Sequence, residues 1–264
     1  MAELPPGARK GLADAAARLP WEPAALAAAA LVAWEGGARA LGVPAYLLPG
    51  PLDILSTMYR QAGRMLAHLG LTLGEALAGF VGGVVLGVVV AFALASSEFL
   101  RRELQPVIVF SQSMPSAALA PLLVVWFGLG LLPKALLALV LVFFPVAVNV
   151  TSGLVHVNPD LLRLVRSYRA TPWQAFVKVR LPHAVGYLIA GMKIAAPLAL
   201  IGAVVGEFVG ANRGIGFVIL DAAARLATVE MLAGIAYVGV TGTGLFLAVG
   251  AMERVLIPWR GVHP

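Results

Sequence analysis

The sequence predicts an all-α membrane protein with about six transmembrane helices, and three observations carry that prediction. Of the 264 residues, 60% are hydrophobic and only 12% are charged. A soluble domain typically carries about 25% charged residues, so lipid must be the solvent for much of this chain. The mean hydropathy is +0.91. Finally, apolar runs recur at lengths close to the roughly 20 residues that one bilayer crossing requires. The chain therefore has room for about five to seven spans with short loops, and none for a separate soluble domain of ordinary size.

Residues 1–20 are polar, hold Arg9, Lys10 and Arg18, and read as a cytoplasmic N-terminal segment. Residues 21–264 read as one transmembrane domain. The first apolar stretch, 21–41, is rich in alanine and interrupted by Glu35, Gly36 and Gly37. A cleavable signal peptide is the competing reading. A retained span is preferred, because Trp34 and Glu35 stand where small cleavage-site residues belong and the basic lead is long. Pro44, Pro49, Gly50 and Pro51 then mark a loop, and the amphipathic run 52–66 reads as a surface helix.

The second span, 67–95, carries Gly79, Gly83 and Gly87 at spacing four. Small residues at that spacing share a helix face and let another backbone approach closely. Ser96, Ser97, Glu98, Arg101 and Arg102 make a charged turn. The third span, 104–129, is interrupted by Pro115 and Pro121. Proline removes a backbone donor and kinks a helix. Within a membrane that is tolerated where protein or a water-filled path satisfies the freed groups. Ser111, Gln112, Met114 and Pro115 therefore lie against other helices or a cavity, with a plain packing kink as the alternative. The fourth span covers 134–152, with Asn149 near its end. The fifth covers 184–209 and repeats the glycine spacing at Gly202, Gly206 and Gly210. The sixth covers 231–256.

Between the fourth and fifth spans lies the longest hydrophilic stretch, residues 153–183. It holds Arg163, Arg166, Arg169, Lys178 and Arg180 against a single acid, Asp160. Its periodicity predicts two short helices split at Thr171-Pro172, since proline suits the first position of a helix. With the N-terminus inside and six crossings, twelve of the 19 Lys and Arg fall inside and six outside, with Lys193 left in the membrane. The positive-inside rule then puts both termini and the 153–183 loop in the cytoplasm. Five of the twelve come from that loop.

Ionisable groups inside a span are costly and usually face a partner or a water-filled route. Lys193 and Glu207 stand out. They are 14 residues apart, about 21 Å along one straight helix, so they cannot pair on it. Glu207 either reaches the outer interface or faces the path, and Lys193 either reaches back to the inner headgroups or faces the path. Together with Ser111, Gln112, Met114, Pro115 and Asn149 they form the candidate translocation path.

No enzyme site is legible. Cysteine is absent, which removes disulfides, thiolate chemistry and Cys-based metal sites. His68, His156, His183 and His263 show no metal-ligand spacing, and no metal or cofactor is expected. No G-x-x-x-x-G-K-[ST] phosphate loop occurs, so any ATP hydrolysis belongs to another subunit.

The basic stretch also carries a resemblance. Arg166-Ser167-Tyr168-Arg169-Ala170-Thr171-Pro172-Trp173-Gln174-Ala175-Phe176, followed by Val179-Arg180-Leu181-Pro182, resembles the EAA loop of ABC importer permeases. That pattern is Glu-Ala-Ala, three residues, Gly, nine residues, Ile, one residue, Leu-Pro. Here Val179 stands for Ile, and Leu181-Pro182 match. Arg163, Leu164 and Val165 replace Glu-Ala-Ala, and Arg169 stands at the glycine position. Met114-Pro115, Ala120-Pro121-Leu122, Trp126-Phe127-Gly128, Phe144-Pro145, Asn149 and Gly206-Glu207 extend the likeness to the nitrate/sulfonate/taurine-type permeases. Gly191-Met192-Lys193 and Ile201 to Phe208 look closer to the related pyrimidine-precursor and riboflavin branch.

The resemblance implies a type I importer permease in a bacterial inner membrane, taking up a small anion or a vitamin precursor. It implies a homodimer, an ABC ATPase subunit and an extracytoplasmic substrate-binding protein as partners. It makes 153–183 the coupling loop, with Arg163, Arg166, Tyr168, Arg169, Ala170, Thr171, Pro172, Phe176, Leu181 and Pro182 at the contact. The alternatives are a basic loop that only touches lipid headgroups, and an ion-coupled secondary transporter acting alone.

Overall fold

The computed structural model describes residues 21–112 and 115–256. The segment 1–20 and Met114 lie outside the described residues, as do the side chains of Ser111, Gln112 and Arg166. Every described element is a helix: α1 Trp21–Ala40, α2 Pro51–Arg60, α3 Ala62–Ser96, α4 Glu98–Gln112, α5 Ser116–Phe127, α6 Leu131–Val155, α7 Pro159–Ser167, α8 Pro172–Ala175, a π turn Phe176–Arg180, α9 Leu181–Glu207, α10 Ile215–Ala224 and α11 Thr228–Leu256.

Among the described residues, four helices are long and apolar enough to cross a membrane: α3, α6, the run Pro172–Glu207 and α11. Helices α5 and α10 are apolar but shorter. Helix α1 is not among the four, since Glu35, Arg39 and two glycines dilute its alanine-rich face. The third predicted span, 104–129, is two helices. Pro115 takes an extended backbone (φ −64°, ψ 106°) and starts α5 afresh. It lacks the donor that continuation would need.

Gly79, Gly83 and Gly87 of α3 and Gly202 and Gly206 of α9 press on α6, whereas Gly210 lies past the end of α9, against Leu129. A Cβ at Gly83 of α3 would lie 2.7 Å from the Leu139 carbonyl oxygen, and one at Gly202 of α9 would lie 2.6 Å from the Ala138 Cα. The small side chain of Ala138 also faces Gly79. Ala138 thus sits where α3 and α9 both close on α6, which packs these three backbones without intervening side chains. Val142, Val146, Val150 and Leu154 of α6 fill the rest of this core with Ala76, Ala91, Ala195, Ala199 and Ala203. A second cluster at the other end gathers Ile54, Met65, Leu69, Val204, Ile215 and Ala233, with Trp34 and Met58 against it.

The close approach gives a direct expectation. Gly202→Leu must displace the Ala138 backbone, which no side-chain rotation can relieve. Overpacking of this kind costs about 1–3 kcal/mol or more. The variant is expected to melt earlier in detergent than Gly239→Leu, because Gly239 has open space beside it.

Candidate functional site

The stretch 153–183 folds as α7, a turn, α8 and the π turn. Helix α7 ends in a Schellman-type closure, with the Ala170 N–H donating to the Val165 carbonyl at 3.3 Å. The residue that makes that closure possible takes the left-handed conformation, usually as glycine. Here it is Arg169, with φ +57°. The chain therefore keeps the glycine geometry at the position where the sequence departs from the EAA pattern. A non-glycine residue there is strained by about 1–2 kcal/mol. Arg169→Gly is expected to stabilise the fold by about 1 kcal/mol, read as a higher melting temperature.

Thr171 then opens α8 with a full capping box. Its Oγ1 accepts from the Gln174 N–H at 3.2 Å, and its own N–H donates to Gln174 Oε1 at 2.9 Å. Pro172 occupies the first helical turn. The T-x-x-Q spacing of Thr171 and Gln174 is the sequence signal for this cap. Beyond it the structure departs from a loop that merely ends at the span. Helix α8 passes through the π turn into α9 without a break, so Pro172–Glu207 is one 36-residue helix, about 54 Å long. Leu181 and Pro182 form the first turn of its α-helical part. A π turn holds one residue more than an α turn and recurs at functional sites.

Phe176 lies at that π turn. Its ring stacks on Trp173 at 5.9 Å and meets Phe92 of α3 at 5.9 Å. It anchors the segment to the end of a core span. Tyr168 and Trp173 remain 80% and 71% exposed. Arg163 pairs with Asp160 at 3.0 Å in the open. Arg169, Lys178 and Arg180 have no acidic partner among the described residues. Nearby, Glu98 at the start of α4 is held below the usual carboxylate range, first by its hydrogen bond from Arg101.

At the other end of the long helix, Glu207 is 1% exposed. Thr72 Oγ1 donates to its Oε1 at 2.6 Å, and the Gly216 N–H donates to its Oε2 at 2.5 Å. The Ile215 N–H donates to Thr72 Oγ1 at 2.8 Å, and the Gly214 N–H to His68 Nδ1 at 3.1 Å. Glu207 thus caps the start of α10 from below, where orphan N–H groups favour an anion. Gly214 (φ +111°) leaves room for the carboxylate, which a Cβ would strike. Glu35 repeats the arrangement at α2. Its Oε2 accepts from the Leu52 N–H at 3.0 Å, and Arg39 bonds its other oxygen.

Lys134 bonds Glu75 at 2.7 Å, and Lys193 bonds Glu253 of α11. Asn149 donates to the Pro145 carbonyl at 2.8 Å and packs under Gly191. These pairs join residues some 60 positions apart, so nothing local in the sequence announced them. The structure brings Glu207 together with His68 and Thr72, but not with Lys193 or Asn149.

The described residues thus form a body of long apolar helices, with one apolar stretch broken at Pro115 and a basic segment that runs straight into a core helix, the make-up of a polytopic membrane subunit. The chain belongs to the family described as the binding-protein-dependent transport system inner membrane component, which matches residues 83–260. It is 35% identical to the formylaminopyrimidine transport permease protein of Halalkalibacterium halodurans, over 87% of this chain and 92% of that one. It is 32% identical to the riboflavin transport system permease protein of Chloroflexus aurantiacus, over 87% of each. It is 31% identical to the taurine transport system permease protein of Escherichia coli, over 88% of this chain and 86% of that one. A chain of the MetNI methionine ABC transporter in an inward-facing form shares the fold. Its TM-score is 0.51 at 23% identity, covering 74% of this chain and 98% of that one. The protein is thus a permease subunit of an ABC uptake transporter, and a secondary transporter acting alone is not supported.

Proposed function

We propose that this permease carries an uncharged heteroaromatic vitamin precursor, driven by a separate ATPase that docks on residues 153–183. One observation carries the substrate reading. The lysines of α6 and α9 are both spent on carboxylates, Lys134 on Glu75 and Lys193 on Glu253. A transported nitrate, sulfonate or taurine would need a cation inside the membrane that is not already neutralised. The relatives named for formylaminopyrimidine and riboflavin fit this reading.

In this scheme ATP hydrolysis resides wholly on the partner subunit. A binding protein delivers solute from outside, and a second copy completes the path. The host membrane is a bacterial inner membrane with both termini cytoplasmic, as the charge distribution favours. The break at Pro115 and Asn149 of α6 stand on the route. Lys193 and Glu207 fasten helices beside it.

Two experiments test this. The permease is reconstituted with the ATPase and binding protein encoded beside it, and uptake of labelled aminopyrimidine is measured. Competition by riboflavin or aminopyrimidines is expected, with none by taurine or nitrate. The opposite order of competition would overturn the substrate reading. For coupling, Ala170→Glu places a bulky acid in the turn between α7 and α8. Uptake is expected to fall to background while membrane insertion is retained, and unchanged uptake would remove the coupling role.

A further inference from the structure

A cavity of about 1040 Å³ opens between the last turn of α3 and the basic segment 162–180. Phe92 and Ala93 of α3 form one wall, and Leu162, Trp173 and Phe176 the other, with Arg180 at the edge. Three features of this cavity point to one class of occupant. Its walls are aliphatic and aromatic, as an acyl chain requires. It lies where a span ends in the charged turn of Glu98, Arg101 and Arg102, the depth at which headgroups lie. Arg180 is half-buried at its edge with no acidic partner among the described residues, and Arg169 and Lys178 add unpaired positive charge to the same segment. A cation held at headgroup depth beside an apolar slot is complementary to an anionic phospholipid.

We propose that this cavity binds one anionic phospholipid of the inner leaflet, with its tail against Phe92 and Phe176 and its phosphate on Arg180. The site rests on the cytoplasmic placement of residues 153–183 made above. The lipid would sit as a wedge between the basic segment and the core, so the charge of the inner leaflet would bias the angle at which that segment meets its ATPase.

The test uses the full-length permease alone, so failure of ATPase docking cannot move the readout. Phosphatidylglycerol is titrated onto delipidated protein and retention is read by native mass spectrometry, with phosphatidylcholine as the comparison. The expected result is one phosphatidylglycerol retained at least about fivefold more readily than phosphatidylcholine, with that preference lost in Arg180→Gln and kept in Arg180→Lys. Ala93→Trp, which fills the slot, is expected to reduce retention of both lipids. Because the chain has no cysteine, single cysteines at Ala93 and at Lys10 can be cross-linked to ask whether the N-terminal segment fills the slot instead. Equal retention of the two lipids, an unchanged preference in Arg180→Gln, or efficient cross-linking to Lys10→Cys would each overturn the proposal.

Discussion

Glu207→Ala is expected to destabilise the permease by about 2–5 kcal/mol, from a stranded buried donor and the void left behind. The Gly216 N–H loses its acceptor in a region that water does not reach. Thr72 is less affected, because its single proton can turn to the His68 carbonyl, 3.2 Å away. The loss should therefore concentrate at the start of α10. Thr72→Val makes the complementary cut. It strands the Ile215 N–H and one oxygen of Glu207 together, so the two substitutions act on one unit and their effects should not add. Melting in detergent for the two single variants and the double variant reads this directly. An additive double variant would mean that the two side chains act separately.

The second large effect concerns the π turn. Deleting Val177 and Lys178 together removes the extra residue of the π turn and one residue more from the helix Pro172–Glu207. Each residue of an α-helix turns the chain by about 100° and advances it about 1.5 Å. Helix α8 would therefore swing by about 100° about the axis of α9, carrying Trp173 and Phe176 together away from Phe92 of α3. ATP-dependent uptake is expected to drop by about 100-fold, the scale on which small misplacements of working groups act. Expression and insertion should persist, because the contacts of α9 with α6 begin beyond the deletion, at His183 with the Gly153 carbonyl. Retained uptake in this variant would mean that the direction in which α8 faces does not matter.

Much of the fold was legible because a bilayer leaves few choices. The glycine rows named the faces that close, and the structure puts every member but Gly210 against α6. The split at Thr171-Pro172 was visible through proline. The unbroken passage from α8 into α9 was not, since a π turn has no sequence signature of its own. The strain at Arg169 was also hidden, because arginine gives no sign of a left-handed backbone. At the Glu207 site the sequence showed a costly carboxylate but not its use. His68 and Thr72 lie on a helix more than 130 positions earlier, and the donors they meet are backbone groups, which no residue type reports. The lysine–glutamate pairs escaped for the same reason of sequence distance.

The sharing of Ala138 between Gly79 and Gly202 has a consequence for motion. Helices that touch backbone to backbone have no side chains to slide over, so α3, α6 and α9 must travel as a single block. Whatever opens and closes during a transport cycle must open elsewhere, at the joint with α11, at the break before α5, or against a neighbouring subunit. Spin labels on a chain without native cysteine can serve as rulers for this. Distances between α3 and α9 should stay fixed through the cycle, and distances from either of them to α5 should change.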